Sequence, residues 1–501
     1  MADLDTFKLF FDSDGHPITI DSTGNPLTQN SDIIDALVTV SKTAAPVTDL
    51  WIFAYGWNND INEGTARYDE WHTNMLIEIE RQNLSGLQCR PFFVEIFWPS
   101  KAWVDNAAQA VVNMPASPGT SGIKPLLSSV NNLVDRQHFI DNYRSVIDPR
   151  GVHGQQYDAD FGRIYDLLHL TQQPTDNEIN EFVQKLYNYR VQDPQSDPTE
   201  KDILDDASVV PAAERIKAKP FIPSQFNRVP TGNQFHLLQQ DAGSGDFILE
   251  NFLNFFRFFT FWTMKARSTA IGQNGVAPLL VDLARMNNDF IANNLPRVRI
   301  HLFGHSFGAK LCSAAVNAVQ APSVDTLVLL LGAFSQFSFS SKIPVEPSAS
   351  GAYASVVTGG RVANPLVVIY SQYDLANKIF YPVAMIASPD PIFELPIFGN
   401  RLPQHTLLSL PPEPIISNDK FGSLGANGSQ GLNNTRQCDI DMLGVGTVYQ
   451  WGTMNLQNVY CLSVDGGDFI NQGPFPEGAH NDLNHAEIFH LALSMSLRGV
   501  N

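Results

Sequence analysis

The chain has 501 residues, 44% of them hydrophobic and 17% charged, with a formal net charge of −19 and a pI near 4.9. That balance excludes the clustered basic groove a phosphate backbone requires and electrostatic docking on anionic lipid. It describes a folded protein with ample core and an acidic, solvated surface, for which no nucleic-acid partner is expected.

The opening stretch, MADLDTFKLFFDSDGHP, has neither the basic nor the apolar region of a secretory signal. The longest apolar run, Leu327–Leu331 with its neighbours, is far too short for a transmembrane segment. Four cysteines (Cys89, Cys312, Cys438 and Cys461) are no disulfide framework, with a Cys438–Cys461 bridge left open. The expected location is cytoplasmic.

Residues 1–46 predict a small hairpin, from turn signals at Asp14-Gly15 and Thr23-Gly24-Asn25, followed by a helix near 32–42. Asp49–Tyr55 reads as the first core strand. A helix with Trp71, Met75, Leu76 and Ile79 on one face follows it. Pro91–Trp98 is almost wholly apolar and reads as a strand buried in a parallel sheet. From 101 to 245 the chain is rich in Asn, Asp, Gln and Pro, too long for plain loop, so an inserted subdomain or lid is expected.

The alternation resumes with helices near 246–270 and 276–290. Phe252, Phe255, Phe256, Phe258, Phe259, Phe261 and Trp262 crowd the first of these, as in a lid or in a helix packed between insertion and core. Buried packing is the commoner use of such a stripe. Val324–Phe334 and Pro365–Tyr370 predict two more strands. A second irregular insertion, 385–455, precedes the strand Val459–Val464 and a final helix around 484–497. The alternation predicts an α/β fold: a mostly parallel sheet with helices on both faces and two large insertions. Its core comprises 47–100 and 246–501.

The strongest chemical signal lies in Arg297–Val319. Val298, Ile300, Leu302 and Phe303 form a short apolar strand, and Leu311, Ala314, Ala315, Ala318 and Val319 recur at helical spacing. Between them stands Gly304-His305-Ser306-Phe307-Gly308, a Gly-x-Ser-x-Gly pentapeptide. Strand, sharp turn and helix are the setting of a nucleophile elbow, which pushes a strained serine out at the carboxyl edge of a sheet. A serine hydroxyl is a poor nucleophile until a histidine takes its proton, and that histidine needs a carboxylate to fix its tautomer.

The elbow, with segments 47–100, 265–335, 362–384 and 458–497, resembles the α/β-hydrolase superfamily in its esterase/lipase-like branch. The resemblance implies Ser306 as nucleophile and the chain order serine, acid, histidine. Asn364–Asp374, an apolar strand ending in a short turn, resembles the acid-bearing segment and makes Asp374 the expected acid. Asp465 and Asp468 are reserves, and a helix N-cap is the competing role for Asp374. His480 lies between the last strand and the last helix, where the superfamily keeps its base. His485, at the helix start, is its rival. His405 falls in the second insertion and His490 inside the final helix, so neither is preferred.

An oxyanion needs two preorganised donors. The amide of Phe307 is one. The second is that of Trp57, in Tyr55-Gly56-Trp57-Asn58-Asn59, which resembles the His-Gly-x motif of many esterases with Tyr in place of His. Gly422, Gly425, Gly428 and Gly431 lack the context of a dinucleotide site, and no standard zinc motif occurs, so neither cofactor nor metal is expected. The implied activity is a serine hydrolase that cleaves a small-molecule or lipid-like carboxylic ester through an acyl-enzyme. Amide, thioester or lactone hydrolysis uses the same parts. A non-catalytic binding protein of the same fold is the alternative.

Overall fold

The computed structural model describes residues 6–43, 45–84, 89–101, 133–170, 172–200, 204, 210–218, 247–320, 324–386, 420–433, 436–452, 454, 456–473 and 477–498. Eight strands form one sheet: β1 (Thr6–Phe10), β2 (Asp49–Ala54), β3 (Pro91–Phe97), β4 (Arg299–His305), β5 (Thr326–Leu330), β6 (Leu366–Tyr370), β7 (Gln437–Asp441) and β8 (Cys461–Asp465). Their order is β1-β3-β2-β4-β5-β6-β8-β7, and every neighbouring pair runs parallel. Parallel neighbours need a crossover between strands and cover on both faces. Accordingly β2, β3 and β5 are buried along their whole length, and their sequences run apolar rather than alternating.

The α-helices of six residues or more among the described residues are α1 (Asn30–Ser41), α2 (Ile61–Leu84), α3 (Leu133–Ile147), α4 (Gly154–Leu168), α5 (Asp176–Asn188), α6 (Val210–Ala218), α7 (Phe247–Ala270), α8 (Ala277–Ala292), α9 (Phe307–Ala318), α10 (Tyr381–Ile386) and α11 (Ala486–Ser496). A π turn at Ile271–Val276 joins α7 to α8. One face of the sheet is covered by α2 and α11, the other by α9 backed by α7, α8 and α1. Trp71 of α2 packs edge-on to Phe303 of β4 at 5.1 Å between ring centres, and Phe489 of α11 stacks on Phe303 at 5.7 Å. No helix among the described residues is long and apolar enough to cross a membrane.

The aromatic stripe of α7 divides between two uses. Phe252 stacks on Phe182 of α5 at 4.4 Å, and Phe256 meets Phe139 of α3 at 5.7 Å, so this end packs against the inserted helices. Phe258 and Phe261 instead face the cavity described below.

Two differences from the sequence expectations have physical causes, and one pairing that the sequence leaves open is decided. β1 joins the edge of the main sheet beside β3, and the expected turns follow it as two tight loops bridged at Phe11–Pro17 and Ile20–Pro26. The loops are alike: Asp12 and Asp21 each accept two backbone amides across a glycine of positive φ. β7 lies inside the stretch expected to be irregular; it is a partly exposed edge strand whose polar alternation hides it. Cys438 and Cys461 are both free thiols. In the β7–β8 register Cys461 stands opposite Gln437 and Cys438 opposite Leu462, so the two thiols point to opposite faces. Residues 102–132 and 219–246 of the first insertion, and 387–419 of the second with His405, lie outside the described residues.

At the amino end of the sheet, buried Asp49 of β2 accepts two bonds from Arg299 (2.8 and 2.7 Å) and one from His301 Nε2 (2.9 Å), both on β4. Burial opposes its charge, but His301 and Arg299 outweigh that and hold the carboxyl below its ordinary range. A depressed pKa contributes stability that is present above the unfolded value and lost as pH falls through the folded one. Asp49→Asn is expected to cost about 3–5 kcal/mol at neutral pH by urea denaturation, because it leaves the largely shielded Arg299 guanidinium without its counter-charge. A loss below about 1 kcal/mol, the range of exposed pairs, contradicts this role.

Candidate active site

β4 ends at His305 and α9 begins at Phe307, so Ser306 makes the whole turn, with φ 56° and ψ −121°. The turn is tight enough to exclude side chains on either flank. A Cβ on Gly304 would meet the Gly308 carbonyl oxygen at 2.4 Å, and one on Gly308 would meet the Ala54 oxygen of β2 at 2.1 Å. Asn58 and Leu331, which follow β2 and β5, also have positive φ, so strain gathers along the carboxyl edge of the sheet. Each such residue costs about 1–3 kcal/mol and persists only where its surroundings over-determine it.

Ser306, His480 and Asp374, 174 and 106 residues apart in the two contacts, are brought into line. His480 Nε2 lies 2.9 Å from Ser306 Oγ, and His480 Nδ1 lies 2.9 Å from Asp374 Oδ2. A carboxylate only accepts, so Nδ1 donates and the neutral ring turns its Nε2 lone pair to the serine hydroxyl. Asp374 is fully buried. Its Oδ1 accepts the Asn377 amide at 3.0 Å, while Oδ2 takes both His480 and Asn377 Nδ2 (2.7 Å). Asp374 thus bonds the His480 ring and the start of the following helical segment together.

The loops that carry acid and histidine pair through their backbones. The Ala479 amide donates to the Tyr373 oxygen (2.9 Å) and the Ala376 amide to that of Glu477 (3.2 Å). His305 Nε2 donates to the His480 carbonyl at 2.9 Å, tying the histidine loop to the elbow. Asn377 Nδ2 also donates to the Leu331 oxygen at 2.8 Å, tying the acid loop to the end of β5. Burial disfavours a charged His480 ring, but the Asp374 carboxylate outweighs it and raises the pKa above the ordinary histidine value. His305 goes the other way: burial, helped by His480, pushes it well down, so it stays neutral.

The rival residues lie elsewhere. His485 precedes α11 and bonds Asp482 at 2.8 Å. His490 is buried between Glu78 (2.7 Å) and the Thr447 carbonyl (2.8 Å). Asp465 accepts the Gly467 amide, and neither it nor Asp468 is bonded to His480.

A cavity of about 470 Å³ opens over Ser306, lined also by Trp57, Phe307 and His480. Phe307 is the first residue of α9, so its amide is among those a helix leaves without an internal acceptor. The Trp57 loop passes close to the serine: a Cβ on Gly56 would lie 2.6 Å from Ser306 Cβ. Asn58 and Asn59 amides anchor that loop on Ser100 at 2.9 and 3.2 Å. Aromatic walls come from α7, α9 and 376–384, with Phe261 against Phe307 (5.0 Å), Trp57 (5.8 Å) and Tyr381 (6.2 Å). Charged side chains come from α2 and the histidine loop.

Glu200, a described residue of the first insertion, meets this wall at Tyr381. Glu200 accepts the Tyr381 hydroxyl and the Ser335 amide, each at 3.0 Å, and lies 3.5 Å from both Lys265 and Lys310. The three-membered group of acidic and histidine side chains among the described residues, Asp12, Asp14 and His16, is on the N-terminal loop, away from the cavity lining.

Asn377, His305 and Arg67, a further lining residue, are not singled out by the sequence reading. Asp374-x-x-Asn377 has the spacing of a side-chain cap, and Glu63, Arg67 and Glu70 share one face of α2. Nothing in the sequence marks His305 beyond its place in the pentapeptide. Comparison with known proteins finds no matching family model, no matching curated protein and no matching solved structure.

By NMR titration the His480 ring is expected to protonate above about 6.5, the free value. Asp374→Asn removes the raising charge, so burial dominates and the pKa falls below that value. An unchanged pKa in the variant contradicts the coupling.

Proposed function

We propose that the protein is a serine hydrolase of the α/β-hydrolase type that cleaves a carboxylic ester. The observation that carries this is the hydrogen-bonded line Ser306–His480–Asp374, 2.9 Å at each step, with the serine on a strained strand-to-helix turn. In this mechanism Ser306 Oγ attacks the ester carbonyl while His480 Nε2 takes its proton. Asp374 stabilises the imidazolium. The amides of Phe307 and Trp57 hold the oxyanion, and the positive end of α9 favours the same charge. Collapse expels the alcohol, which takes the proton from His480. Water, activated by the same ring, then releases the acid and restores the serine. No cofactor enters any step.

The aromatic walls suit a substrate with an apolar portion, of small-molecule or lipid-like kind. Four free thiols suit a reducing, cytoplasmic setting.

Turnover of a short-chain chromogenic ester is the test. Ser306→Ala and His480→Ala are each expected to lose at least about 10⁴-fold in kcat, because the members act as a unit. His485→Ala stays within about tenfold of the parent, since its ring bonds Asp482 and not the serine. Because the base works only when neutral, kcat/KM declines as pH falls through the raised His480 pKa. The reverse ranking of the two histidine variants, or no turnover by the parent, defeats the proposal.

A further inference from the structure

Arg67 is the positively charged side chain among the cavity's described lining residues, and the hydrolytic mechanism gives it no task. It stands on α2 and lines the same cavity as Ser306 and His480. Among the described residues its guanidinium makes no ion pair and no hydrogen bond, and its Nε is out of solvent without an acceptor. The carboxylates one helical turn away do not serve it. Glu63 is turned to Lys101 (3.0 Å) and the Asp60 amide (2.8 Å), while Glu70 is exposed. Burial lowers the arginine's pKa in spite of both glutamates.

Arg67 is half-buried, with its Nε out of solvent; a cation partly withdrawn from water without a counter-charge is unfavourable, and a planar guanidinium is shaped to take a carboxylate on two parallel bonds. We propose that the ligand supplies that partner: the substrate of the Ser306 site carries an ionised acid group that pairs with Arg67, beside an apolar portion against Phe258, Phe261 and Tyr381. A half-ester of a dicarboxylic acid, or an ester of a hydroxy acid, has this chemistry. The identity of the reacting bond rests on the hydrolase proposal; the anion contact rests on Arg67 alone.

Glu63, Glu70 and Glu477 line the cavity too, and a cationic ligand is the opposing possibility they raise. They are the weaker determinant. Glu63 and Glu70 are exposed, and Glu477 is half-buried with Asn481 Nδ2 on its carboxylate at 3.1 Å. Exposed carboxylates are satisfied by water and screened by salt, and Glu477 has Asn481 as a partner, whereas the half-buried Arg67 has an Nε that neither solvent nor a described acceptor reaches.

The test is calorimetric binding of three matched probes to the full chain: 4-phenylbutyrate, 4-phenylbutanamide and 4-phenylbutylamine. The acid is expected to bind about ten- to a hundredfold more tightly than its neutral amide, the range of a charge-assisted contact. Arg67→Gln abolishes that ratio, Arg67→Lys keeps part of it, and Arg67→Glu shifts preference to the amine. The ratio within one variant is insensitive to the fraction folded. Equal binding of acid and amide, no acid binding at millimolar concentration, or a preference that survives Arg67→Gln overturns the proposal. Tighter binding of the amine assigns the cavity to cations and also overturns it. Turnover of monomethyl and dimethyl glutarate separates the two ideas. Turnover without any acid preference removes the Arg67 contact alone. An Arg67-dependent preference in binding, without turnover of any ester, removes the hydrolase proposal alone.

Discussion

The close approach of α9 to the sheet is the constraint on which the rest depends. The helix begins one residue after β4 ends and passes Gly308 over the carboxyl end of β2, leaving Ser306 to make the turn at positive φ. The conformation is unfavourable by itself, so the surroundings must hold it. Its amide donates to the Leu330 oxygen of β5, and its carbonyl accepts from Ala309 and Ala333. Around it, α9 is buried from Phe307 to Val316 and β4 from Ile300 to His305. The strained serine thus lies at the junction of the best-packed elements, where packing is costly to disturb.

The remaining members of the site come from far along the chain and are aligned by backbone pairing more than by their own side chains. The loops after β6 and β8 bond to one another at Tyr373–Ala479 and Ala376–Glu477. Asn377 and His305 then tie that pair back to the ends of β5 and β4. His480 therefore has little freedom to leave the serine, which is the preorganisation a proton shuttle needs. The buried Asp193, Glu200, Lys265 and Lys310 group extends the same logic outward, linking the first insertion to Tyr381 in the cavity wall. The described part of the insertion thus supports the pocket from behind Tyr381, while α7 supplies walls directly.

Much of this was legible in the sequence where local pattern and chemistry coincide. β4, Ser306 and α9 announce themselves by an apolar run, a glycine-flanked serine and helical spacing. Asp374 and His480 stand out in the sequence through the resemblance of their segments to the acid- and histidine-bearing loops of the α/β-hydrolase superfamily, and the structure brings both beside Ser306. What stayed hidden depends on tertiary partners. β7 has no apolar run because it is a partly exposed edge, and β1 reads as hairpin because its pairing partner lies about ninety residues away in β3. Asn377 is an ordinary asparagine until Leu331 and Asp374 are both beside it, and Arg67 is an ordinary helical arginine until its neighbours turn elsewhere. The division of the α7 aromatics between core and cavity likewise needs the packed neighbours of both ends.

The most direct measurement is labelling of the intact chain with a fluorophosphonate, followed by peptide mass mapping, which asks whether the strained serine is chemically activated. Ser306 is expected to be the residue modified, with labelling suppressed when the protein is first brought below the His480 pKa, where the ring no longer accepts the hydroxyl proton. Modification of another serine while Ser306 stays intact, or labelling of Ser306 that is indifferent to His480→Ala, contradicts the assignment of this turn and this histidine as a working pair.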